Sequence, residues 1–186
     1  NDILDGGQGA PLTPIFHHLL IKQKKINLPT CILNIGGIAN ITAIKKIGLE
    51  NIRSKDIGPG NCLIDEWVRK NSNKNYDEDG KISSSGNINE IILEQAFELF
   101  LNESDSKTLS LDTKDFDVSF VRGLSLEDGA ATLTELTSRI LSVAINSLDD
   151  NKIKNNWNIL LCGGGRKNKF LIKKIKNNIS KNFQLD

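Results

Sequence analysis

The sequence predicts an α/β domain, and three observations carry the prediction. A short apolar strand, TCILNIGG, meets a second extended stretch, IANITAIKK, through the pair Gly36–Gly37. A long amphipathic helix over 128–148 places Leu133, Leu136, Ile140, Ala144 and Leu148 at three- and four-residue intervals, one apolar stripe. Near the end of the chain, WNILLC reads as a strand that runs into GGGRKN and then a helix from about 168 to 177. A hairpin, a long helix and a strand–turn–helix unit together indicate mixed α/β layers. At 186 residues the chain suits one domain with a sizeable core, and it shows no repeat or interdomain linker.

Taken in order, the chain opens with NDILDGGQGAPLTP, where glycines and prolines crowd behind Asp2 and Asp5. PIFHHLLIKQK over 14–24 predicts a helix, with Pro14 suited to its first turn. His17 and His18 are expected to flank its surface. The Gly36–Gly37 pair suits a tight hairpin between the first two strands. ENIRSKDIG predicts a third strand running into GPGN. Asn61 then stands where an N-cap belongs, ahead of a helix whose apolar residues are Leu63, Ile64, Trp67 and Val68. Residues 71–87 are polar and read as loop, two helical stretches follow near 88–94 and 95–102, and SDSKTLSLDTKDFD is irregular.

Charge and composition exclude several classes. Apolar residues make up 38% and charged residues 25%, and the charges nearly cancel to +1. That balance does not favour nucleic acid. The Lys/Asn-rich runs KIKNNW and KKIKNNISKNF read as solvated surface. No apolar run approaches the roughly 20 residues that cross a bilayer, and no signal peptide is visible. Cys31, Cys62 and Cys162 lie far apart in apolar or Gly-rich settings, which predicts reduced, buried thiols in a cytoplasmic protein. Without a CxxC, and with His17 and His18 the only histidines, no metal site is expected.

Three glycine constellations carry the chemistry. GGQGAP (Gly6, Gly7, Gln8, Gly9) lets backbone approach a ligand closely, although a surface turn explains it equally well. LNIGGIANIT presents a Gly–Gly tip flanked by Asn34 and Asn40, rich in N–H donors and free of negative charge, which suits phosphate oxygens; an ordinary hairpin is the competing explanation. LLCGGGRKN presents backbone N–H groups at a helix start, where they can face a nucleotide, or is simply a tight strand–helix turn. Neither GxGxxG nor GxxxxGK[ST] is present, so neither the dinucleotide fold nor the P-loop is supported.

In collinear order, GGQGAPLTPIFHHLL, LNIGGIANIT, DIGPGNCLID, YDEDG, SLDTKDFD, ATLTELTSRI and CGGGRKN resemble the anhydro-N-acetylmuramic acid kinase family over nearly the whole chain. The resemblance implies a ribonuclease-H-like lobe of the actin-like ATPase superfamily, with a mixed β-sheet and flanking helices. It implies that residues 1–186 are a single domain, most of the second lobe of a two-lobed sugar kinase, with the first lobe and the extreme C-terminus missing. It also implies a cytoplasmic enzyme of peptidoglycan turnover that uses ATP and Mg²⁺ on an amino sugar, and it leaves open a homodimer of the intact enzyme. The reaction implied is hydrolytic opening of 1,6-anhydro-N-acetylmuramic acid with phosphorylation of the freed O6.

By the same resemblance, Asp2, four residues before the GGQGAP run, matches the catalytic base, and Asp5 does not. Asn34, Gly36 and Gly37 are expected to face phosphates, and Gly163, Gly164, Gly165 and Asn168 the adenosine. Gly6, Gly7, Gln8, Gly9, Gly58, Gly60 and Asn61 are expected to line the cleft. The chain departs from the family where Lys107-Thr108-Leu109 replaces a Pro-Pro-Lys run and Thr113 replaces an Arg, and where Ser83, Ser84 and Ser85 follow YDEDG. Two other readings stay open: a different amino-sugar kinase of the superfamily, and a nucleotide- or sugar-binding segment without catalysis.

Overall fold

The computed structural model describes residues 13–104, 112–148 and 156–185. Its centre is one five-stranded sheet in the order β3-β2-β1-β4-β5. β1 (Thr30–Ile35) and β2 (Ile38–Ile44) form the expected antiparallel hairpin, and β3 (Ile52–Pro59) continues the meander antiparallel to β2. β4 (Trp157–Cys162) returns parallel to β1, and β5 (Phe183–Leu185) adds a parallel edge strand. β1, β3, β4 and β5 therefore all point the same way, and only β2 runs against them.

Alternation along the strands sends two sets of side chains to two faces. Cys31, Leu33 and Ile35, with Ala39, Ile41 and Ala43, join the main core together with Trp157 and Ile159. Against that face pack α2 (Cys62–Asn71), α3 (Glu90–Ser104), α4 (Leu126–Asn146) and α5 (Lys169–Asn178). α4 is buried around most of its circumference, as befits a helix covered by the sheet and by its helical neighbours. Ser125 caps it, its hydroxyl accepting the Asp128 N–H at 3.0 Å. On the opposite face, Ile32 and Ile44 meet Ile21 of α1 (Thr13–Lys24), with Leu160 and Cys162 alongside.

The fold corrects several expectations. The two stretches near 88–94 and 95–102 are one continuous helix, α3, because the run EIILEQAFELF contains no breaker. The long helix starts two residues earlier than its stripe suggests, at the Ser125 cap. His17 and His18 are not on the surface: both are buried, and His17 Nδ1 lies 3.1 Å from Thr42 Oγ1 in β2. The C-terminal Lys/Asn run is not all solvated surface, since Phe183 is buried in β5 and stacks with Trp157 at 6.4 Å. Residues 77–85 form two short 3-10 turns around a buried carboxylate rather than a plain loop. Asp77 accepts the Ile82 N–H at 2.7 Å and the Ser83 N–H at 3.0 Å. All three cysteines are free, Cys31 buried and the other two half-buried. Among the described residues, no helix is long and apolar enough to cross a membrane.

Candidate functional site

Parallel β1, β3 and β4 release their chains at one edge of the sheet, the edge at which open α/β sheets hold ligands. Three glycine turns meet there. The hairpin tip, Gly36–Gly37, is bonded to the turn after β3: Gly60 N–H donates to Gly37 O at 2.8 Å, Asn61 N–H to Gly36 O at 2.7 Å, and Cys62 N–H to Gly37 O at 3.2 Å. The turn after β4 closes on the same point. Gly163 has φ +81°, and a Cβ there would stand 2.5 Å from Asn34 Oδ1 and from the Ile35 carbonyl oxygen, so only glycine fits. Asn61 lies between the tip and this turn, its Nδ2 donating to Ile35 O at 3.3 Å.

Helix starts surround the same edge. α2 begins at Cys62, directly after the Gly60–Asn61 turn. α5 follows the 3-10 turn Gly164–Lys167. In α1, His17 meets Thr42 while Ile21 meets Ile44, two residues further along β2 and away from the hairpin tip. The N-terminus of α1 consequently points toward the tip. Cys62 N–H and Leu171 N–H are already taken by Gly37 O and Asn168 Oδ1, but the partial positive charge of helix N-termini still favours an anionic ligand at this edge.

Asn34 is half-buried and lies in register with Asn40 on β2 and with Cys162 on β4. A bulge after Ala39 then sets Asn40 opposite Asp56 of β3. Asp56, Asn40, Asn34 and Cys162 thus form a row across four strands on one face of the sheet. Gly37 is exposed beside Thr113, whose Cγ2 would lie 3.1 Å from a Cβ at Gly37, so the turn at Thr113–Asp115 borders the tip. Gly164 is open to solvent, and Gly165 is packed on Ile35. Arg166 braces the β4 turn by donating from Nη1 to Gly163 O at 2.7 Å.

Other expected residues stand apart from this cluster. Gly58 is buried under Phe100 and Ile140, where it serves helix–sheet packing. Asn168 is buried and caps α5, its Oδ1 accepting the Leu171 N–H at 2.9 Å. Asn61 is no side-chain cap: its φ of −88° and ψ of −10° are helical, and no cap bond forms. Asp2, Gly6, Gly7, Gln8 and Gly9 lie outside the described residues. The sequence reading missed Asp56 and the bracing role of Arg166, and it noted Thr113 only as a departure from the family. Only strand register across the bulge brings Asp56 beside Asn40, and no local pattern announces that.

The thiols near the edge are poor nucleophiles. Burial pushes Cys62 up to about 11, and burial also raises Cys162, with Arg166 opposing. Asp65 on α2 is raised to about 6, first by burial and further by the charge of Asp77, against the pull of Arg69. Asp112 is held below the usual carboxylate range, chiefly by accepting the Lys114 N–H at 3.0 Å. Below the β3 turn, Pro59, Leu63, Phe100, Phe116, Phe120 and Leu136 line an apolar cavity of about 260 Å³, unlike the polar edge above it.

The model of the anhydro-N-acetylmuramic acid kinase family matches residues 1–186. Anhydro-N-acetylmuramic acid kinase of Pelagibacter ubique is 52% identical over 189 residues, an overlap of 100% of this chain and 49% of that protein. The protein of the same name from Zymomonas mobilis is 36% identical over 180 residues, covering 96% of this chain and 47% of its own length. The chain thus spans about half the length of the curated relatives it matches. Among solved structures, the activator of the 2-hydroxyisocaproyl-CoA dehydratase from Clostridium difficile, with bound ADPNP, superposes with a TM-score of 0.53 at 18% identity, over 87% of this chain and 55% of that one. That likeness shows the fold, a mixed β-sheet with flanking helices.

Proposed function

The chain belongs to the anhydro-N-acetylmuramic acid kinase family, and from that membership we propose that residues 1–186 are most of the second lobe of a two-lobed, ATP-dependent sugar kinase. The observation that carries the reading is the junction of three glycine turns at one sheet edge, bonded through Gly36, Gly37, Gly60 and Asn61. Backbone donors at Gly36 and Gly37 take phosphate oxygens, and Gly163, Gly164 and Gly165 approach the adenosine. Asn168 supports the latter turn from beneath as the cap of α5.

The substrate is 1,6-anhydro-N-acetylmuramic acid, in cytoplasmic peptidoglycan recycling. Asp2 accepts a proton from water as its oxygen bonds to the anomeric carbon. The C1–O6 bond breaks, and O6 takes the γ-phosphoryl group as the bond to the β,γ-bridging oxygen breaks, releasing ADP. The leaving alkoxide then needs no separate acid. Phosphoryl transfer depends mainly on positioning and charge neutralisation, which suits glycine turns and helix N-termini. Mg²⁺ would supply charge neutralisation on the phosphates. Asp56 and Asn40, in register across β3 and β2 near the tip, would offer it oxygen donors.

The test is titration of the full-length protein with ATP and with the anhydro sugar, followed by turnover. The expected result is binding of both and formation of N-acetylmuramic acid 6-phosphate with ADP. Binding of both without product would leave a binding lobe only, and product from a different amino sugar alone would replace the substrate.

A further inference from the structure

An asparagine directly before a helix usually caps it, and Asn61 does not. Its side chain turns away from α2, and Nδ2 donates to Ile35 O, the last carbonyl of β1, at 3.3 Å. Its backbone N–H donates to Gly36 O at 2.7 Å. On its other side, Asn61 Oδ1 stands 3.0 Å and Nδ2 3.8 Å from where a Cβ would sit on Gly165 and Gly164 respectively. The same Ile35 carbonyl faces Gly163, at 2.5 Å from its Cβ position, and the Ile35 side chain packs on Gly165. One residue thus touches the hairpin tip with its backbone, the end of β1 with its amide, and the β4 turn with its flank.

We propose that Asn61 is a positioning residue that ties the β1–β2 hairpin to the β4 turn, fixing the distance between the phosphate and adenosine subsites. The proposal rests on the nucleotide reading above. If the two subsites are held at the spacing of a nucleotide, binding one half of ATP presents the other half at high effective concentration. If the strut is removed, each subsite survives but their spacing wanders. The advantage of a joined ligand falls, while the affinity of each half stays.

This predicts a pattern that general damage to the fold would not give. Dissociation constants for ATP, adenosine and tripolyphosphate, each with Mg²⁺, are measured by calorimetric titration of the full-length protein and of Asn61→Ala and Asn61→Leu. Asn61→Leu keeps about the size of the side chain and loses the donor without adding a charge beside the phosphate subsite. In both variants ATP should weaken about tenfold, while adenosine and tripolyphosphate each stay within about twofold. Unchanged ATP affinity overturns the proposal, and so does equal weakening of all three ligands, which would mark a structural role. Loss of the melting transition in both variants overturns it as well. A wild-type protein that binds none of the three overturns the nucleotide reading itself, and the proposal with it.

Discussion

Gly60 rests directly against the carbonyl of Gly36, so that a Cβ on Gly60 would collide with that oxygen, while its own N–H donates to Gly37 O at 2.8 Å. Neither partner is a side chain that could swing aside. At Gly60 the β3 turn and the hairpin tip are therefore set against each other by backbone.

Gly60→Ala should consequently force the two turns apart. A destabilisation of about 1–3 kcal/mol is expected, as for other overpacked sites, with weaker ATP binding. Gly164 offers the contrast, since a Cβ there meets nothing nearer than Asn61 Nδ2 at 3.8 Å. Gly164→Val should keep stability within about 1 kcal/mol of the parent. It should raise the KM for ATP on the order of tenfold, about 1.4 kcal/mol, and leave the KM for sugar nearly unchanged. Thermal melts and initial rates check both. An unchanged KM for ATP in a folded Gly164→Val protein would reduce GGGRKN to a tight turn.

What the sequence made legible was what local pattern encodes. The apolar spacing of Leu63, Ile64, Trp67 and Val68 marked the buried face of α2, and all four are buried. The Gly36–Gly37 hairpin and the strand–glycine–helix unit were legible for the same reason, because a two-residue tip and a breaker after an apolar run are local signals. β5 was not, because its three residues carry one buried side chain, Phe183, and owe their conformation to β4, whose Trp157 N–H donates to Asn182 O at 2.8 Å. The burial of His17 depends on Thr42, 25 residues away in sequence. The role of Asn61 escaped because its composition signal is that of a cap, and only the meeting of three turns gives its amide a better partner in Ile35 O. The nearness of Asp56 to Asn40 depends on a bulge that no periodicity reveals.

Asn168 should act on the nucleotide through the helix it caps. Its Oδ1 is engaged by Leu171 N–H, and Gly80, at φ +75°, packs against that same oxygen. Asn168→Ala should cost about 1 kcal/mol, the usual value of a lost N-cap, and weaken ATP along with it. Asn168→Asp keeps an acceptor of the same reach and should retain most of both. Melting temperature and ATP titration read the two variants together. Full stability with lost ATP binding in Asn168→Ala would show instead that the side chain touches the nucleotide directly.

Asp65 makes stability depend on pH in a definite direction. Its carboxyl ionises near 3.8 when unfolded and near about 6 when folded, because burial disfavours its charge. Between those values the folded state keeps a proton that the unfolded state has released. Stability should therefore fall as pH rises through that window and stay at the lower level above it. The carboxyl is half-buried, so solvent screening keeps the effect small. Asp65→Asn should raise the melting temperature at pH 7.5 and leave it unchanged at pH 3.5. An equal shift at both pH values would assign the gain to packing rather than to ionisation.

The opening residues carry the chemical step in the proposed reaction, and Asp2 is its test. Asp2 precedes the GGQGAP run by four residues, and α1, which follows that run in sequence, starts toward the glycine edge. Water attacking the anomeric carbon must lose a proton, and an ionised carboxylate can take it. Such a base is typically worth about 10²–10⁴-fold in rate. In the full-length protein, Asp2→Asn keeps the shape of the side chain and removes its basicity. It should lower kcat by at least about 10²-fold while leaving sugar and ATP affinities near normal, since the loss falls on the transition state. Asp5→Asn removes a carboxylate three residues further along, at the position that does not match the base, so it should change kcat far less. Steady-state kinetics and equilibrium titration of the two variants decide the assignment. Near-native turnover by Asp2→Asn, or an equal loss in Asp5→Asn, would take Asp2 out of the mechanism and return the search for the base to the remaining carboxylates.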